Sequence, residues 1–348
     1  MSLIRLSQQL FKPFKTSISA WMVTNGFLKP LAIDASQNQP ILSAEEIRLL
    51  ADDLAQLTNR IMPNLTPSEA QLQGEQSSFF TGAGLEYEES RPYEMGDEIR
   101  RINWRLMAKT GKAYTKLFQE ERQENWLIIV DHRASMRFGT RKRLKATQAT
   151  RIAGYFAWLA QKASIPVVGA RLTDKLDKTP LFEGRGAYSH LMEKFSEPCP
   201  PLTLQANQHE PHLNDVLLGL LPQIQPGSRL ILISDFHDIN DKTTEILAAL
   251  QPVAMVKAIC IQDPSELKLP EIEGLQLESL NTPQTFTIDS IAQRNAYQAW
   301  SKNYHQHLQS YLQKAGIEPI IMRTDEPLSA FSCFKPASST KQENSGAS

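Results

Sequence analysis

Beyond residue 125 the chain alternates between short, uninterrupted apolar runs and longer stretches with apolar residues at helical spacing. The runs are WLIIV at 126–130, VVGARL at 167–172, RLILIS at 229–234, VAMVKAICI at 253–261 and PIIMR at 319–323. None alternates polar with apolar residues, so each reads as a strand covered on both faces. Between them lie RLKATQATRIAGYFAWLAQKA, LNDVLLGLLPQI, DKTTEILAAL and AQRNAYQAWSKNYHQHLQSYLQKAG, which read as helices. Strand-helix-strand order predicts an α/β architecture with a doubly wound, mostly parallel sheet and right-handed crossovers. The stretch LQLESLNTPQTFTID interrupts this order and reads as a two-stranded excursion.

The first third has a different grammar. LSAEEIRLLADDLAQLTNRI predicts a helix that opens with Ser43 as N-cap and Glu46 three residues on, a capping-box spacing. From Leu72 to Asn125, Gly74, Gly82, Gly84, Gly96 and Gly111 punctuate short segments such as GLEYEES and KAYTKLFQEE, which read as hairpin strands. The expected organisation is an N-terminal arm over 1–40, a helix plus β-rich segment over 41–125, an α/β domain over 126–330 and a polar, disordered tail over 331–348. In the arm, Arg5, Lys12, Lys15 and Lys29 alternate with Leu3, Ile4, Leu6, Leu10, Phe11, Phe14 and Trp21. Such a segment either packs on its own domain or makes peripheral contact with a membrane surface.

Composition narrows the function classes. The 348 residues carry 37 basic and 38 acidic side chains, so no global field favours nucleic acid or anionic lipid. No window has the apolar length of a transmembrane helix. Cys199, Cys260 and Cys333 have no metal-ligand spacing, and a sparse, odd count fits a reducing, cytoplasmic setting. GTRKRLKAT lacks the phosphate-loop form, GAGLEY lacks the dinucleotide fingerprint, and no G-x-S-x-G elbow is present.

Chemistry concentrates where strands are expected to end. LIIVD ends in Asp131 and LILISD in Asp235, and open parallel sheets bind ligands at the carboxyl ends of their strands. Asp131, Ser135 and Met136 of DHRASM, with Ser234 and Asp235 of LISDF, resemble the von Willebrand factor A fold and its metal-ion-dependent adhesion site. RPYEMGDEIRRINWRLMAKTGKAY, GRGAYSHLMEKF and AGIEPIIMRTDEPL resemble the bacterial DUF58 family, and the likeness spans roughly Leu72 to Leu328. The resemblance implies a von Willebrand factor A-like core after a β-rich segment, a protein-protein interaction role, and a MoxR-like AAA+ ATPase as partner.

A site of that kind holds Mg²⁺ through hydroxyl and carboxylate oxygens and leaves one position open for a partner's carboxylate. Here Asp131, Ser135 and Asp235 are the surviving metal candidates. Arg133 stands where the first serine is expected, and Gly184–Gly186 offers no hydroxyl at the presumed threonine loop, with Ser189 as a weak substitute. Three arrangements stay open: a Mg²⁺ site, an Asp131/Asp235 cluster neutralised by Arg133, or neither. Asp131, Arg133, Ser135, Asp235 and His237 are the expected partner-binding residues of a non-enzymatic adaptor acting in assembly or maturation of a client. The alternative is a metal-dependent hydrolase using Asp131, Asp235 and His237, with His132 as the other histidine nearby.

Two further stretches have a functional and a structural reading. Arg133, Arg137, Arg141, Lys142, Arg143 and Lys145 form either an anion-binding patch or a solvated loop and helix face. Around Tyr93 and Trp104, the residues Arg91, Glu94, Asp97, Arg100, Arg101 and Arg105 form either a docking surface or an internal salt-bridge network.

Overall fold

The computed structural model describes residues 39–61, 86–94, 97, 99, 102–119, 125–140, 142–200, 210–272, 275–278 and 285–334. The N-terminal arm, Arg100, Arg101, Arg141 and the tail beyond 334 lie outside them. The chain divides into two units, residues 68–123 and the remainder.

Helix α1 (Ala44–Ile61) starts as its sequence predicts: Glu46 N donates to Ser43 Oγ at 3.3 Å and Ser43 N donates to Glu46 Oε2 at 2.8 Å. Leu50 and Leu54 are buried, the Trp158 indole donates to Thr58 Oγ1 at 3.3 Å and the Tyr188 hydroxyl donates to Ile47 O at 2.9 Å. These contacts put α1 on the α/β unit, which corrects the expected grouping of 41–125: the helix caps locally but finds its apolar partner in a distant part of the chain.

The smaller unit contains strand β1 (Glu86–Pro92), helix α2 (Trp104–Thr110) and strand β2 (Tyr114–Gln119), with β1 and β2 antiparallel. Asn103 caps α2 by accepting from Leu106 N at 3.1 Å, and Gly111 ends it in the left-handed region at φ 70°. Asp97 accepts from Arg91 Nη2 at 2.6 Å, Thr115 Oγ1 at 2.9 Å and Glu94 N at 3.0 Å. Those bonds make Asp97 part of an internal network. Trp104 is 59% exposed.

The larger unit is built on a six-stranded sheet of β3 (Trp126–Asp131), β4 (Val167–Leu172), β5 (Leu176–Lys178), β6 (Ser228–Ser234), β7 (Ala254–Gln262) and, closing the list, β10 (Ile320–Arg323). Its order is β10-β7-β6-β3-β4-β5, parallel throughout except for β5 against β4. The interruption expected before the long helix is a separate antiparallel pair, β8 (Leu275–Glu278) and β9 (Thr285–Ile288).

Helices cover both faces, which is why the core runs lack polar alternation. On one face α3 (Lys145–Ala163) and α4 (Ala187–Phe195) pack over β3 and β4. On the other, α5 (Leu213–Leu220), α6 (Asp241–Leu250) and α8 (Ile291–Lys314) close over Ile129, Leu230, Leu232, Ala258 and Cys260. The one-turn helix α7 (Pro264–Leu267) follows β7 directly. Cys260 behaves as a small core hydrophobe. No helix among the described residues is long and apolar enough to cross a membrane. The result is a mixed α/β fold with a mostly parallel central sheet.

Because Leu54 is fully buried, Leu54→Ala should destabilise the α/β unit by about 2–5 kcal/mol. Urea unfolding would measure this, and an unchanged midpoint would mean that α1 does not dock on that unit.

Candidate functional site

The parallel register brings the ends of β3, β6 and β7 to one edge of the sheet, and each strand is terminated there by an acid: Asp131, Asp235 and Asp263. Asp131 is 1% exposed and Arg133 is 2% exposed. An unpaired charge at that depth costs several kcal/mol, so the partners decide what the site is.

Arg133 spends every N–H it has. Its Nε donates to Asp131 Oδ1 and Oδ2 at 3.1 and 3.2 Å, and Nη2 donates to Asp131 Oδ2 at 2.8 Å and to Asp238 Oδ1 at 3.0 Å. Nη1 donates to Asp238 Oδ2 at 2.5 Å and to Pro211 O at 3.2 Å. The guanidinium is thus forked on two carboxylates at once, the geometry in which arginine binds most strongly. Arg133 N and Ser234 Oγ add donors to Asp131 at 3.0 and 2.6 Å, and Leu213 N adds one to Asp238 at 2.8 Å. Burial works against the charge on Arg133, but Asp131 and Asp238 outweigh it and raise its affinity for the proton. Burial likewise opposes ionised Asp238, and Arg133 outweighs it, holding the carboxyl well below the usual range.

A second cluster sits one strand over. Lys145 Nζ donates to Asp235 Oδ2 at 2.8 Å and to Glu266 Oε1 at 2.7 Å, with its own side chain buried. Glu266 Oε2 in turn accepts from Asp263 N at 2.8 Å, the capping box of α7. Asp263 accepts from Ser265 N at 3.0 Å, Thr140 N at 3.0 Å and Thr324 Oγ1 at 2.8 Å, tying the β3–α3 loop to the ends of β7 and β10. Between Asp235 and His237, Phe236 holds φ 55° while fully buried. A left-handed L-residue costs about 1–2 kcal/mol, and the kink turns Asp235, His237 and Asp238 toward the strand-end edge.

The five expected site residues therefore come together, in two clusters rather than one. Arg133 does pair two carboxylates, but the second is Asp238 and not Asp235, because the kink at Phe236 carries Asp238 back over the end of β3. Asp131 and Arg133 are corrected as direct partner contacts: with every Arg133 donor spent and both Asp131 oxygens held by Arg133 and Ser234, no partner reaches them. His237, with its side chain 19% exposed, and His212, at 50%, are the groups that reach solvent, His212 Nδ1 lying 3.4 Å from Asp238 Oδ2.

The residues present do not fit a divalent cation. A hard ion needs oxygen lone pairs pointing inward, whereas here the Asp131 and Asp235 oxygens already face a guanidinium and an ammonium. Among the described residues, no group of three or more His, Cys, Asp or Glu side chains is arranged to hold a metal. Gly186 and Ser189 lie elsewhere: Gly186 N donates to Gln161 Oε1 at 3.0 Å near the C-terminal end of α3. A 19-residue helix is about 28 Å long, and Lys145 at its other end marks the site.

His132 and His237 both make hydrogen-bonding contacts within the fold. Arg171 Nε donates to His132 Nδ1 at 3.1 Å, and His132 Nε2 lies 2.9 Å from Thr150 Oγ1. This occupies both ring nitrogens, and burial followed by Arg171 and Arg137 pushes the imidazole well below its ordinary pKa. His237 Nδ1 lies 3.0 Å from both Ser135 Oγ and Asp235 Oδ1.

In the basic stretch after β3, Arg137, Arg143 and Lys145 make contacts inside the fold, whereas Lys142 is exposed. Arg137 Nε donates to His132 O at 2.9 Å, Arg143 Nη1 donates to Thr324 O and Glu326 O at 3.1 and 2.9 Å, and Lys145 is buried. Sequence reasoning passed over Glu266 and Asp263, and named Lys145 only as part of the basic stretch. Asp263 had a signal, since AICIQD repeats the apolar-run-then-acid grammar of LIIVD and LILISD. Lys145 had none, because only the third dimension places Asp235 beside it.

The family model described as protein of unknown function DUF58 matches residues 89–309. Uncharacterized proteins of Mycobacterium tuberculosis H37Rv and Mycobacterium bovis are each 26% identical over 266 residues, covering 73% of this chain and 79% of the relative. The crystal structure of the conserved hypothetical protein BatB from Bacteroides thetaiotaomicron aligns with a TM-score of 0.39 at 14% identity, covering 61% of this chain and 95% of that one.

The depressed Asp238 carboxyl has a pH consequence. Its contribution to stability is present above the ordinary carboxylate pKa near 4 and is lost as pH falls through the lower folded-state value. Asp238→Asn should cost about 3–5 kcal/mol at pH 7 by leaving Arg133 half paired. The gap between wild type and variant in urea midpoint should narrow toward pH 2, and a pH-independent gap would contradict the pairing.

Proposed function

This chain is a member of the DUF58 family, and from that premise we propose that it is a non-enzymatic interaction protein whose strand-end rim docks a protein partner. The supporting observation is that the charges of the two buried clusters are paired with their own neighbours, Arg133 with Asp131 and Asp238, and Lys145 with Asp235 and Glu266. These groups are committed to holding loops in place. A rigid rim lowers the ordering cost of association, which favours binding.

The partner class rests on the family resemblance: a MoxR-like AAA+ ATPase in the cytoplasm, acting with this protein in assembly or maturation of a client. The von Willebrand factor A-like reading of the core supports the same role, since such domains dock partners at this edge. In this reading Asp131 and Arg133 shape the rim from beneath, and His212 and His237, which reach solvent, touch the partner.

The test is direct binding of a purified MoxR-like ATPase. The His212→Ala/His237→Ala variant, if it unfolds at the wild-type urea midpoint, should bind at least about tenfold more weakly, the loss typical of a contact worth 1.4 kcal/mol. Undiminished binding would reject the rim as the docking surface.

A further inference from the structure

We infer that Arg133 is the resident cation of the strand-end centre: a guanidinium carried by the chain takes the place of a divalent ion and holds the surrounding loops in one metal-independent arrangement. The inference stands apart from the docking reading, because it concerns what organises the centre whether or not a partner binds.

The argument is one of charge and direction. Asp131, the last residue of β3, and Asp238, in the loop after β6, turn their carboxylates toward a common space. An ion that bridged them would sit between their oxygens, and that is where the guanidinium lies, with donors on Asp131 at 2.8 Å and on Asp238 at 2.5 and 3.0 Å. Its remaining Nη1 contact, Pro211 O at 3.2 Å, closes the third side. One planar group thus joins the segment after β3, the segment before α5 and the segment after β6.

The polar groups around this space point outward-donating rather than inward-accepting. Ser234 Oγ donates to Asp131, and Arg133 N and Leu213 N donate to the carboxylates. These donors complement carboxylates neutralised by a guanidinium; around a hard cation, hydroxyl lone pairs would turn to the ion instead. Lys145 repeats the device on the neighbouring strand, bridging Asp235 and Glu266 at 2.8 and 2.7 Å. Both clusters therefore carry a cation supplied from the β3–α3 side of the fold, and neither depends on metal supply.

The replacement can be reversed by design. Arg133→Ser removes the guanidinium, leaves Asp131 and Asp238 facing each other without a cation, and adds a hydroxyl two residues after Asp131 and two before Ser135. Wild-type protein should show the same thermal midpoint in EDTA, millimolar MgCl₂ and millimolar MnCl₂, and retain no Mn²⁺ at this centre in equilibrium dialysis. Arg133→Ser should melt several degrees lower in EDTA, regain much of that loss with Mg²⁺ or Mn²⁺, and hold one Mn²⁺ per chain; adding Asp238→Asn should abolish the recovery.

Should Arg133→Ser fail to fold in EDTA, the refolding yield becomes the readout. Recovery that requires either ion supports the replacement, and no recovery with both ions overturns it. Stoichiometric Mn²⁺ on wild type that disappears in Asp131→Asn overturns it as well, as does a folded Arg133→Ser protein indifferent to both ions.

Discussion

A guanidinium buried between two carboxylates constrains the functional edge of this protein more than any other interaction. Removing one partner of such a group costs about 3–5 kcal/mol, because the charge left behind has no water to turn to. The chain therefore keeps Asp131, Arg133 and Asp238 together or loses the local structure. Since Arg133 also binds Pro211 O, it ties together three segments distant in sequence.

The sheet makes this possible. Parallel strands deliver their C-terminal ends to the same edge, so apolar runs that each stop at an acid place negative charge side by side. Like charges at low dielectric repel, and the fold answers with cations from the segment between β3 and α3. Arg133 serves Asp131 and Asp238, and Lys145, in the first turn of α3, serves Asp235 and Glu266. Asp263 needs no cation, since hydroxyl and backbone donors from three segments hold its carboxyl low against the effect of burial. The left-handed Phe236 is the strained element that this arrangement tolerates.

Position 133 holds an arginine, and the neighbouring groups suit it: the hydroxyl of Ser234 and the backbone amides of Arg133 and Leu213 donate to the carboxylates, and Asp238 lies within reach of the guanidinium after the kink that follows β6. The rim carries one exposed imidazole, His212, and one partly buried, His237, and its buried charges are committed internally.

The sequence by itself determined the elements and their layers. Uninterrupted apolar runs are legible as two-sided strands because burial on both faces forbids polar alternation, and Ser43 with Glu46 announces α1 because capping is local. It also showed that Asp131 and Asp235 meet at one edge, since topology follows from strand-helix order. What only the tertiary structure decided are the pairings: that α1 belongs with α3, that Arg133 chooses Asp238 over Asp235, and that Lys145 lies inside. Those depend on contacts between residues about a hundred positions apart, as Arg133 and Asp238 or Lys145 and Glu266 are. A run of basic residues looks the same in sequence whether it faces water or a buried acid. Only the position of the acid tells them apart, and that position is a property of the fold.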